Sequence, residues 1–190
     1  FDARTKWAEC ISIRTIRDQS ACGSCWAVSA ASAMSDRLCI LSGGKINKFV
    51  SDTDILACCG SSCGDGNSRM CNLLLIFFAF KPRFFVIFAF TLTIQSLESN
   101  SVYNVRGVEN IQREIMTNGP VQATFTVYED FYTYKSGVYV HTAGGPAGGH
   151  AIKIIGWGVE KSTPYWLISN SWSSDWGDNG KLTEFFHRQI

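Results

Sequence analysis

The stretch Gln19-Ser20-Ala21-Cys22-Gly23-Ser24-Cys25-Trp26 constrains this chain more than any other, because it places a thiol where a loop becomes a helix. From Cys25 the sequence runs through Trp26, Ala27, Val28, Ala30, Ala31, Ala33, Met34, Leu38 and Leu41 and stops at Gly43-Gly44. Alanine-rich composition with apolar residues three and four apart predicts a buried helix, and the paired glycines are a C-terminal stop. Cys25 then lies in the first turn, where unpaired backbone N–H groups and the helix dipole favour a thiolate. The alternative is a structural or disulfide cysteine, since the chain has eight.

Two later stretches bear on that choice. Residues 148–158 put His150 at the head of an apolar strand, among glycines that allow close approach. Tyr165-Trp166-Leu167-Ile168-Ser169-Asn170-Ser171-Trp172 ends another strand at an amide, twenty residues after His150. A thiol, an imidazole and an orienting amide are the parts of a thiol acyl-transfer site. The bland alternatives are a satisfied core histidine for His150 and a surface turn residue for Asn170.

Taken together, these motifs resemble the papain-like cysteine proteases, and within them the cathepsin B branch. Phe1-Asp2-Ala3-Arg4, Ile16-Arg17-Asp18-Gln19, Cys58-Cys59-Gly60, Cys63-Gly64-Asp65-Gly66 and Tyr134-Lys135-Ser136-Gly137-Val138-Tyr139 share the likeness. It covers roughly residues 1–66 and 101–180. Residues 165–180 also resemble haemoglobin-digesting members from blood-feeding worms, differing in details such as Ser169, which implies a digestive role.

The resemblance implies an α+β, papain-like two-domain fold. A helical left domain (1–97) carries the nucleophile, a β-rich right domain (98–190) carries His and Asn, and the active-site cleft lies between them. By the same resemblance Cys25 is the nucleophile. His150 holds the thiolate as an ion pair and then protonates the leaving amine, and Asn170 accepts from the other ring N–H. The Gln19 side-chain NH₂ and the Cys25 backbone N–H form an oxyanion hole. Gly23 and Cys22 line the cleft, Gly149 and Ala151 contribute to its walls, and Trp172 shields the His150–Asn170 hydrogen bond from water. His141 matches no catalytic position and is expected in an exposed loop. The implied disulfides are Cys10–Cys39 and Cys59–Cys63, with Cys22 and Cys58 each expecting a partner further on. Zinc at Cys58-Cys59…Cys63 is the alternative to disulfide use there, and the reading calls for no metal and no cofactor.

Gross properties agree with this. A net charge of +1 suggests neither nucleic-acid steering nor polyacid binding. All eight cysteines fall between Cys10 and Cys71, which suits an oxidising compartment, lysosomal or secreted. The chain starts without Met or a signal peptide, as a mature form or a fragment would. Partners implied are peptide or protein substrates, cystatin-type inhibitors and the protein's own pro-segment, with no nucleic acid and no membrane.

The middle breaks the pattern. Between residues 73 and 94 fall seven of the thirteen phenylalanines, with Lys81-Pro82-Arg83 splitting the apolar run into pieces too short for a membrane span of ~20 residues. A buried hairpin turning at Pro82 is one reading. The resemblance calls instead for a glycine-rich cleft floor and a polar insertion with paired histidines, so 67–100 reads as foreign sequence, such as a retained intron or a frame error. A catalytically inactive or misfolded fragment is therefore the competing reading of the whole chain.

Beyond it, 108–118 reads as an amphipathic helix with Ile111, Ile115 and Met116 on one face, ended by Gly119-Pro120. Residues 121–128, 137–141, 150–158 and 165–170 read as strands, and Ser51-Asp52-Thr53-Asp54 as the capped start of a short helix. Residues 181–190 do not resemble the family's final strand, so the second domain is expected to lack its closing strand.

Overall fold

A computed structural model describes residues 1–58, 79–80 and 102–185. The foreign reading of 67–100, the Cys59–Cys63 bridge, any zinc at Cys58-Cys59…Cys63, the fate of the Phe-rich run and the partner of Cys58 lie outside the described residues. Two short helices, α1 (Ala3–Lys6) and α2 (Ile11–Arg14), lead into α3 (Cys25–Leu41). As the composition predicts, α3 is covered nearly all round, with Ala27 and Ala31 fully buried. It stops at Gly43 and Gly44, whose φ values of 60° and 81° suit glycine. A disulfide from Cys10 to Cys39 ties the start of α2 to the end of α3. Helix α4 (Asp52–Cys58) begins with the Asp54 N–H donating to the Ser51 hydroxyl at 3.1 Å.

Strands β1 (Ala79–Phe80) and β2 (Val102–Tyr103) form an antiparallel pair. Then come α5 (Val108–Asn118), β3 (Val121–Tyr128), β4 (Val138–Tyr139), β5 (Pro146–Glu160), β6 (Thr163–Ser169) and β7 (Lys181–Phe185). The five longer-range strands make one sheet in the order β3-β5-β6-β7-β4, antiparallel except for β4 beside β7. Ile111 and Ile115 of α5 sink into this core, but Met116 is 45% exposed, so the buried stripe is narrower than expected. Arg37 of α3 is buried against the end of α5, donating to the carbonyls of Gly119 and Pro120 and pairing with Glu114 at 2.9 Å. Gly156 allows the first residues to cross β5: a Cβ there would lie 2.3 Å from the Phe1 carbonyl oxygen.

The expectation of a missing closing strand is overturned. Lys181–Phe185 is β7, paired with both β6 and β4. Its composition conceals the role. Period-two alternation points Leu182 and Glu184 inward, and backbone pairing asks nothing of the side chains. Glu184 carries the consequence, because its Oε2 is buried without a hydrogen-bond partner. Burial raises its pKa from 4.5 to about 8. Below pH ~4.5 the carboxyl is neutral folded or unfolded and its stability contribution is complete. As pH rises toward 8 the unfolded chain ionises first, so stability falls by roughly 5 kcal/mol through this group. Melting temperature is therefore expected to decline between pH 4.5 and pH 8, and Glu184→Gln to flatten that decline and melt higher at pH 8. Parallel pH curves for the two proteins would contradict this account.

Candidate active site

The first residue of α3 and the inner end of β5 meet. The Ala151 N–H points at Cys25 Sγ from 3.5 Å, which puts the thiol against the residue next to His150. Cys25 is a free cysteine, not a bridged one. His150 is 5% exposed, and its Nε2 lies 2.7 Å from Asn170 Oδ1. An amide oxygen only accepts, so Nε2 carries the hydrogen and Nδ1 is left with its lone pair. Asn170 follows β6 directly and is anchored by its own N–H to the Gly180 carbonyl at 3.0 Å. The Trp172 ring tilts over His150 with centroids 4.8 Å apart, and Phe125 meets the imidazole edge-on at 5.9 Å. Both partners of the His150–Asn170 contact are buried.

Burial dominates the electrostatics. It pushes the Cys25 thiol up, against backbone N–H groups of Ala151, Trp26 and Cys25 that favour the thiolate. It pushes the His150 imidazole down, against the Asn170 hydrogen bond that favours the cation. Burial thus favours the neutral form of each group taken by itself.

Gln19 is held in place by a residue that sequence reading passed over. The Ser171 hydroxyl donates to Gln19 Oε1 at 2.6 Å, and the Gln19 N–H donates to the Ser171 carbonyl at 2.9 Å. The Cys22 carbonyl, which only accepts, takes one hydrogen of the Gln19 NH₂ at 2.9 Å and so fixes which end of the amide is which, leaving a second hydrogen available. Ser171 stands between Asn170 and Trp172, so its place in that run was the only signal, and the contact across the fold to Gln19 has no local signature. Cys22 is disulfide-bonded.

Gly23 and Gly149 are exposed, and a Cβ on Gly149 would meet open space. Ala151 differs from these: its side chain is 2% exposed and packs with Trp26, Ala27, Ala30, Ala31 and Ile55. Its backbone N–H faces the thiol. His141 does lie in a loop but is half-buried rather than exposed, with Nδ1 3.0 Å from Asp130 Oδ1 and its ring stacked on Tyr128 at 3.7 Å. Among the described residues no three His, Cys, Asp or Glu side chains converge as metal ligands. No described helix is long and apolar enough to cross a membrane. A cavity of about 560 Å³ lined by Arg4, Arg14, Ile155 and Lys181, among others, shares no residue with the Cys25–His150–Asn170 group.

Comparison with known proteins gives this geometry a context. The model for the papain family of cysteine proteases matches residues 1–77 and 91–184. The match takes in 67–77 and 91–100 and leaves 78–90 unmatched. It also takes in most of β7. Cathepsin B-like cysteine proteinase 4 of Caenorhabditis elegans is 43% identical over 228 residues, covering 95% of this chain and 68% of that protein. That alignment exceeds the chain's 190 residues, so the relative carries residues with no counterpart here. A gut-specific cysteine proteinase of the same worm is 44% identical over 219 residues, covering 95% of this chain and 66% of that protein. Among solved structures, proCathepsin B S9 from Trypanosoma congolense superposes with a TM-score of 0.74 at 36% identity, covering 97% of this chain and 70% of that one. Its likeness extends to the α+β architecture as a whole. With both the thiol-bearing and the histidine-bearing parts inside one family match, the chain belongs to the papain family of cysteine proteases.

Proposed function

We propose that this chain is a cathepsin B-like cysteine endopeptidase that cleaves peptide bonds through a thioester acyl-enzyme, with Cys25 as nucleophile. The observation that carries the reading is the Ala151 N–H directed at Cys25 Sγ, because it sets a free thiol beside an imidazole already oriented by Asn170. In the reaction the Cys25 proton passes to His150 Nδ1 and Sγ attacks the scissile carbonyl. The resulting oxyanion is received by the Cys25 N–H and the remaining hydrogen of the Gln19 amide. Imidazolium then gives its proton to the leaving amine, and water attacks the thioester with His150 acting as base. Asn170 holds the ring in one orientation throughout. An amide suits that task, since it stabilises the imidazolium without taking its proton.

The open faces of Gly23 and Gly149 suit an extended peptide, with Ala151 contributing backbone and Trp172 covering the histidine. The cleft falls between a helical part, to about residue 97, and a β-rich part from 98 to 190. Pairing of β1 with β2 straddles that boundary. Membership of a family with a procathepsin neighbour supports peptide or protein substrates and a pro-segment as partners, and cystatin-type inhibitors follow from the same class. A lysosomal or secreted setting, including a digestive lumen, fits the cysteine content. An inactive or misfolded product is the weaker reading, since the family match spans both halves and β7 closes the sheet.

Turnover of a fluorogenic dipeptide amide tests the roles. Cys25→Ala is expected to abolish it, Gln19→Ala to lower kcat/KM by about 10²–10³, and Asn170→Ala to lower the rate without abolishing it. Wild-type activity in Cys25→Ala would sink the assignment. A second expectation concerns mode of attack. Cathepsin B-type release of C-terminal dipeptides relies on paired histidines, and this chain has only His141, His150 and His187. A long peptide with a free C-terminus should be cut internally, as followed by mass. Stepwise loss of C-terminal dipeptides would contradict it.

A further inference from the structure

Asp36 stands eleven residues after Cys25 on α3, about three full turns, so both side chains leave the helix on one face. Strand β5 reads along that face with every second residue. Ala151 joins the cluster of Trp26 and Ala27, Ile155 joins that of Cys39 and Ile13, and Lys153 lies between them. Its Nζ is 2.7 Å from Asp36 Oδ2, with the two side chains 1% and 0% exposed. The same ammonium reaches the Ser12 carbonyl at 3.4 Å. Across the β3–β5 register Lys153 pairs with Gln122, whose Nε2 donates to the Trp26 carbonyl at 3.1 Å, one residue from the thiol. Burial pushes the Asp36 carboxyl up and the Lys153 ammonium down, and the charge of each opposes that shift in the other.

A buried ion pair is a poor source of net stability, because well-packed apolar residues of similar volume do as well or better. What it supplies is uniqueness of fit. Alanines and isoleucines along the α3–β5 contact tolerate sliding, whereas a lysine and an aspartate must meet. We infer that Asp36 and Lys153 form a positioning pair that fixes the axial placement of α3 against β5 and thereby sets how Cys25 approaches His150. Neither side chain touches substrate. The inference rests on the acyl-transfer reading and adds two residues to it that no motif singles out.

The test compares wild type, Lys153→Arg and the double variant Asp36→Leu/Lys153→Met. For each, kcat and KM on the dipeptide amide, the pH profile of Cys25 alkylation and the melting temperature are measured. Rates are counted per folded molecule from the near-ultraviolet circular dichroism, so a partly unfolded sample still gives a value. The double variant is expected to melt close to wild type yet to lose about 10²-fold in kcat, with KM little changed and the alkylation profile displaced along the pH axis. Lys153→Arg keeps charge and reach and should retain most of kcat. A double variant with wild-type kcat and alkylation profile would overturn the inference, leaving the pair a purely structural feature. Loss of kcat in Lys153→Arg equal to that of the double variant would overturn it as well. Wild type that neither turns over nor alkylates would instead defeat the acyl-transfer reading itself.

Discussion

The middle of strand β5, residues 150–156, is covered on both faces, and the helical and β-rich parts of the molecule meet through it. Ile152 and Ile154 point into the core shared by the sheet and α5, while Ala151 and Ile155 point into the clusters built on α3. A strand in that position has no solvent-facing side on which to place a polar residue. Each polar group it carries needs a specific partner, or its burial costs a few kcal/mol. His150 finds Asn170 and Lys153 finds Asp36. The reactive imidazole is thus held by the same packing that joins helix to sheet. A functional group in such a place is rigid because everything around it is core.

The same burial sets the chemistry. Burial drives both the thiol and the imidazole toward neutrality, so in the proposed reaction they act as a pair, through a proton passed between them. Under that proposal the Trp172 and Phe125 rings beside His150 would support reactivity as well as packing, since water weakens the attraction between charges. Gln19 belongs to this economy of fixed dipoles. Its amide is oriented before any substrate arrives, by Ser171 on one side and the Cys22 carbonyl on the other.

Strand β7 follows a different logic. Lys181-Leu182-Thr183-Glu184-Phe185 holds its place through backbone pairing to β6 and β4 and through Leu182 in the core. Glu184 is carried inward by the alternation alone and is tolerated as a neutral acid. Local preference and tertiary demand disagree at this residue, and tertiary demand wins because a strand cannot turn one side chain outward without moving the rest.

Much was legible along the chain. Helix α3 followed from its alanines and terminal glycines, α5 from its apolar spacing, and β3, β5 and β6 from β-branched and aromatic runs, because these are properties of neighbouring residues. The order thiol, histidine, amide pointed to the family for the same reason. What sequence alone could not decide were relations across distance. Met116 sits on the right helix but just outside the buried stripe, and Ala151 is buried in the cluster beside α3. Ser171 meets Gln19 over a separation of 152 residues, and Asp36 meets Lys153 through a buried contact no spacing announces. The charge state of Cys25 belongs here too. Helix position favours a thiolate, but desolvation depends on what folds over the thiol, and only the tertiary structure determines that.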